Sequence, residues 1–133
     1  MPDFRLFLLL CCSAASVACG DDASVLHNTV VSSESAGGFF SSIDYRFANT
    51  DVTIRNNIVR RITQRNGASA TVDHNLEGAH LDLFMDPPAG DLHLVDSASA
   101  AIDQGVIDAD AGLDIDGEPR DEGAPDLGCD ERR

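Results

Sequence analysis

A chain of 133 residues makes at most one domain, and its net charge of −14 sets 23 acidic residues against nine basic ones, all arginine. That balance argues against nucleic acid or an anionic membrane surface as partner, because phosphate contacts need basic side chains, and it admits polyanionic sugars only where divalent cations bridge the charges. Six Phe, one Tyr and no Trp exclude a carbohydrate platform of stacked tryptophans.

The chain opens with "MPDFRLFLLLCCSAASVAC", residues 1–19, in which Arg5 precedes an apolar run, Leu6 to Leu10, that continues through small residues to Ala18. The run is too short to span a bilayer and has the layout of a secretory signal, so export is expected; the alternative is a buried N-terminal strand. "SVAC" followed by "GDD" resembles a bacterial lipoprotein processing site, with Cys19 as the lipidated residue. Ser16 stands where leucine is usual there, and Ser16 with Ala18 equally suits ordinary signal peptidase. Lipidation of Cys19 is the expectation, making a lipid anchor the only membrane contact and placing the protein on the outer surface of a bacterial membrane; otherwise it is extracellular. Ordinary cleavage would leave Cys19 and Cys129 as thiols in an oxidising compartment, where a bridge is chemically possible; placement at opposite ends of the fold argues against it unless Cys19 lies on a flexible tail.

Residues 20–95 read as strands and turns, with valine, isoleucine, threonine and phenylalanine in short runs broken by Gly, Asn, Asp and Ser. Three segments look alike: "SVLHNTVV", "VTIRNNIV" and "ATVDHNL". Placing Asn28, Asn57 and Asn75 in one column, at spacings of 29 and 18 residues, also aligns His27, Asn56 and His74. The same register aligns Val25 with Ile54 and Val72, and Thr29 with Ile58 and Leu76. A kept core with unequal spacing is what stacked repeats produce when insertions enter turns, and "SSESAGG" accounts for the longer first spacing. Asparagine at the recurring place suits a bend, since it tolerates left-handed backbone and its amide can bond to the next repeat. The alternative is three Asn-containing strands of an antiparallel sandwich.

"VTIRNNIV" followed by "DHNLEG" resembles the last coils of right-handed parallel β-helix proteins of the pectate-lyase-like superfamily. The run "LFMDPPAGDLHLVDSASAAIDQG…DIDGEPRDEGAPDLGCDE" is similar to a closing region found on bacterial surface β-helices and catalogued as a choice-of-anchor Q domain. It departs from that pattern at Ala100, where proline is usual, and at Cys129, where alanine is usual. The resemblance implies an all-β fold, a right-handed parallel β-helix of two to three coils, followed over residues 96–133 by an irregular acidic closing loop.

That closing stretch, "DIDGEPRDEGAPDLGCDE", packs eight carboxylates into eighteen residues. An EF-hand frame fails from Asp114, because its twelfth position is Pro125, and from Asp110, whose third position is Gly112. Calcium candidates reduce to Asp110, Asp114 and Asp116 in an irregular site. The favoured role is a cover for an exposed coil edge, with a glycine-centred turn, Arg120 paired to a carboxylate, and Ile115, Leu127 and Leu113 plugging the apolar end. No cofactor is then expected, and calcium should not raise the melting temperature appreciably.

Catalytic residues are not assigned. The lyases of the resembled superfamily use calcium-holding aspartates with an arginine or lysine base, and the related hydrolases use paired aspartates with a glycine-flanked histidine. Here the adjacent pair is Asp21-Asp22, directly after the leader, and no Gly-His-Gly occurs. Arg60, Arg61, Asp44, Asp51 and Asp73 are available, but a carboxylate on a strand turn is ordinarily a solvated one. His27, His74, His80 and His93 lack metal-binding spacing, and the shared column of His27 and His74 fits a buried, hydrogen-bonded role. The expectation is an exported β-helix module with a structural or binding role, and the alternative is a carbohydrate-active lyase or hydrolase, or a remnant of one. Repeat proteins need capped ends, and the first repeat starts close to the leader. The expected partners are a polysaccharide or, to cover the open N-terminal coil, a second β-helix chain stacked on it.

Overall fold

The computed structural model describes residues 8–11, 23–32, 42–120 and 123–133. Of residues 1–19 only Leu8–Cys11 (β1) is described, and its backbone pairs antiparallel with Thr29–Ser32 (β3), Leu8 opposite Ser32 and Cys11 opposite Thr29. Cys19, the expected lipidation site, and the rest of residues 1–19 lie outside the described residues.

The protein is all-β, with two single-turn 3-10 segments at Leu81–Leu83 and Pro87–Ala89. After Ala23–Leu26 (β2) and β3 come Ile43–Arg46 (β4), Asp51–Arg55 (β5), Ile58–Val59 (β6), Ile62–Arg65 (β7) and Ser69–Asp73 (β8). Every pairing among these is parallel: β2 with β5 and β5 with β8, β3 with β6, and β4 with β7. The chain thus visits the same three ladders in the same order twice, and enters the first again at β8. An antiparallel sandwich cannot give this pairing, because hairpin-linked neighbours run in opposite directions.

The register is the one the columns specify. Val25 stands beside Ile54 and Ile54 beside Val72, while Thr29 neighbours Ile58, which bridges to Leu76. Alternation along β5 buries Val52 and Ile54 while Asp51 stays exposed, the period-2 pattern of a strand with one apolar face. Val25, Val30, Ile43, Tyr45, Val52, Ile54, Val59 and Ala68 form one core shared by the three ladders. Each fully buried aliphatic side chain there is worth about 1.5–3 kcal/mol. Val72 occupies the same column as Val25 and Ile54 but is 41% exposed, because β8 is an edge strand.

The β3–β6 sheet is apolar on both faces. Val30 and Val59 belong to the shared core, whereas Val31 and Ile58 belong to a second core with Phe84, Leu92, Leu94, Ala98, Ala101, Leu127 and Cys129. The hairpin of Phe84–Asp86 (β9) and Asp91–Leu94 (β10) and the C-terminal segment supply that second layer. This corrects the expected closure: the segment lies along the outer face of the stacked strands and touches the first two passes of the chain. Leu127 is buried and Ile115 packs against the same core, but Leu113 is 60% exposed and plugs nothing.

Candidate functional site

The bend between the first and second ladders is built from two adjacent columns. Asn28, Asn57 and Asn75 stand one above another, and Asn57 Oδ1 accepts from both the backbone N–H and the Nδ2 of Asn28, at 2.8 and 3.1 Å. Asn75 Oδ1 accepts the same pair of bonds from Asn57, at 3.0 and 2.8 Å. Each amide nitrogen also donates to the carbonyl two residues before it, at Leu26, Arg55 and Asp73. The ladder therefore satisfies backbone donors and acceptors that the bend removes from the sheets. The left-handed residue is the one before it: His27, Asn56 and His74 have φ of 51°, 58° and 48°. Asparagine and histidine are among the non-glycine residues that accept this region most readily.

His27 and His74 share that backbone conformation but not their surroundings. His27 is buried, with Nδ1 3.1 Å from the Asp126 carbonyl and Nε2 2.9 Å from Asn56 Nδ2. The orientation of the Asn56 amide follows from Val106, whose N–H donates to Asn56 Oδ1 and whose carbonyl accepts from Nδ2. Nδ2 thus faces His27, so the ring is neutral, with its proton on Nδ1 and Nε2 accepting. Burial first, and Arg120 second, lower its pKa from 6.5 to about 4. His74, expected to be buried as well, is exposed just after β8, beside Asp73, and no pass of the described residues covers it.

The acidic C-terminal stretch holds its own irregular backbone. Asp114 Oδ1 accepts from the N–H of Asp116 and Glu118, and its Oδ2 from Glu131. Asp126 accepts from Asp103 and Arg132 backbone nitrogens, Asp130 from Leu94, and Glu131 from Asp126. A segment without ladder partners must find other acceptors for its N–H groups, and carboxylates serve that need well. Arg120, buried, donates to the carbonyls of Cys129 and Asp130 and pairs with Glu131. Asn56 O and Thr29 Oγ1 in turn accept from Gly128 and Cys129.

The calcium candidates are not brought together. Asp114 is buried and engaged with backbone N–H groups, and Asp110 is exposed in its own turn. Asp116 instead lies beside His93, with Oδ2 3.2 Å from Nε2. His93, Asp116 and Asp130 offer one ligand atom each within 4.8 Å of one another, the grouping of this kind found among the described residues. Asp91 Oδ1 lies 2.6 Å from His93 Nδ1 and raises the histidine's pKa. Asp91 and His93 are two apart on one strand and so share a face, which is legible from "DLH"; the other two partners come from distant turns.

Of the carboxylates available for catalysis, Asp44 and Asp73 are engaged in ion pairs. Asp44 pairs with Arg46 and Arg65, and hydrogen bonds from Arg46 above all hold its carboxyl below the usual range. Asp73 is clamped by Arg55, which also reaches Asp108. Asp51 is exposed at the start of β5, and Arg60 and Arg61 lie between β6 and β7. Comparison with protein-family models, with curated proteins and with solved structures gives no match.

Proposed function

We propose that the chain is an exported module, on the outer surface of a bacterial membrane through lipidated Cys19 or secreted, built as a short right-handed parallel β-helix with a structural or binding role and no catalysis. The observation that carries this reading is the repeated circuit through three parallel ladders with Asn28, Asn57 and Asn75 stacked at one bend. Unequal repeat lengths with a constant register are characteristic of stacked repeats. Support for a non-catalytic role is that Asp44 and Asp73 are each tied to arginines rather than paired with each other. The proposed partners are a polysaccharide, which if acidic needs bridging divalent cations because the protein itself is acidic, or a second β-helix chain stacked on the open N-terminal coil.

The test incubates the purified protein with acidic polysaccharides, with and without calcium, and follows both gel retardation and new unsaturated or reducing ends. Retardation without new ends supports the binding role. Steady release of either product would replace it with the lyase or hydrolase reading. Fractionation of the producing bacterium tests the anchor: Cys19→Ser should move the protein from the membrane to the soluble fraction.

A further inference from the structure

We propose that His93, Asp116 and Asp130 form a binding site for one divalent transition-metal ion of the zinc type. Three segments that are far apart in sequence meet there: β10, the turn after Asp114, and the C-terminal segment. The 3.2 Å between His93 Nε2 and Asp116 Oδ2 is already the edge of a small coordination polyhedron. Four ligands at about 2.0–2.1 Å around a tetrahedral ion stand roughly 3.3 Å from one another. The Asp130 carboxylate lies within reach of both.

The donor set selects the ion. One imidazole and two carboxylates suit zinc and its neighbours, whereas calcium takes all-oxygen sets of six to eight ligands. The ring is also oriented from behind. Asp91 Oδ1 holds Nδ1 at 2.6 Å and accepts from the His93 backbone N–H, so Nε2 is turned toward Asp116 and Asp130. This carboxylate–imidazole relay is how metal-binding histidines are fixed in tautomer and direction.

Rigidity and access are divided among the three ligands. Asp130 is buried and anchored by the N–H of Leu94, the residue after His93. Asp116 is exposed, with 59% of its side-chain surface in solvent, and can complete the site as the ion enters. Three carboxylates, Asp91, Asp116 and Asp130, surround a single imidazole, and a dication offsets that excess of negative charge. Three protein ligands leave a fourth position for water. The bound ion would clamp the β9–β10 hairpin to the C-terminal segment.

The test titrates zinc alone into the full chain against a chromophoric chelator, and follows the His93 ring nitrogens by long-range proton–nitrogen correlation. Uptake of one equivalent is expected, with the Nε2 resonance moving and Nδ1 remaining protonated. His93→Ala and Asp116→Ala should each weaken binding well beyond tenfold, and Asp91→Asn by about tenfold. His80→Gln, at an exposed histidine outside the cluster, should leave it unchanged. Millimolar calcium should not displace the ion. Absence of stoichiometric uptake overturns the proposal and assigns the cluster to a protonated His93 bridging Asp91 and Asp116. Uptake that survives both His93→Ala and Asp116→Ala, or that calcium displaces, overturns it too; Asp116→Ala lies at an exposed position and keeps the fold testable.

Discussion

An imidazole wedged between the amide of Asn56 and the carbonyl of Asp126 cannot gain a second proton without pressing an N–H against a donor. His27 is held neutral for that reason, with burial the leading cause and Arg120 adding to it. Its pKa falls from 6.5 in the unfolded chain to about 4 in the fold. The unfolded state therefore binds the extra proton between those values and the native state does not. Stability from this group is complete above 6.5, declines as the pH falls, and is lost below about 4. At 1.36 kcal/mol per pH unit the loss is about 3 kcal/mol. His93 acts in the opposite sense: Asp91 raises its pKa, so its contribution is complete below its unfolded value and is lost as the pH rises through the folded one. Urea unfolding at a series of pH values should show the slope from 4 to 6.5 in the wild type and a flatter one in His27→Asn. Equal slopes would reject the assignment, since asparagine keeps the left-handed backbone available and carries no group that titrates in this range.

Among the elements, the asparagine ladder decides more than any single strand. Asn57 is its middle rung: it accepts from Asn28, donates to Asn75, and its Nδ2 also reaches the carbonyls of Val25 and Arg55. Asn28 is an end rung whose amide nitrogen serves Leu26 and Asn57. Each satisfied bond is worth about 1 kcal/mol, and a buried partner left without one costs about 1–3 kcal/mol. Asn57→Ala should therefore lower stability by about 3 kcal/mol and Asn28→Ala by about 1 kcal/mol. Denaturant midpoints at constant slope measure both, and equal losses would show that the rungs act independently. The ladder was legible because neighbours in a parallel stack repeat the same local chemistry. The left-handed φ sits one residue earlier, at His27, Asn56 and His74, because the asparagine side chain must point along the stack while the preceding residue makes the bend.

For the molecule as a whole, the C-terminal segment is a second wall packed onto the β3–β6 sheet, and Gly128 lies close against it. A Cβ at Gly128 would lie 2.5 Å from Thr29 Oγ1 and 2.7 Å from Ile58 Cδ1, on a backbone with φ of +81°. Ile58 is fully buried, so the collision has to be relieved by moving the segment. Gly123 has a similar φ of +85° with open space around it, so its substitution carries the backbone strain alone. Gly123→Ala should cost about 1 kcal/mol and Gly128→Ala about 3 kcal/mol. The second should also open the amides of Leu127 and Cys129 to hydrogen exchange, since they donate to Ala101 O and Thr29 Oγ1. Unchanged protection in Gly128→Ala would mean the segment is not held by this contact.

Composition and repeat register, read from the residues alone, carry the all-β class, the pairing of Val25 with Ile54 and Val72, and the stacking of the three asparagines. These follow from periodicity and from side chains that meet copies of themselves, so local pattern suffices. Three things depended on the folded chain. Leu113 and Leu127 are both apolar residues of one acidic stretch, yet one is exposed and the other buried, because only the path of the segment over Val31 and Ile58 separates them. His74 is exposed where its column mate His27 is buried, because the C-terminal segment reaches His27 and, among the described residues, no strand follows β8 in its sheet. His93 meets Asp116 and Asp130 across 23 and 37 residues of irregular chain, a distance over which spacing carries no geometric information.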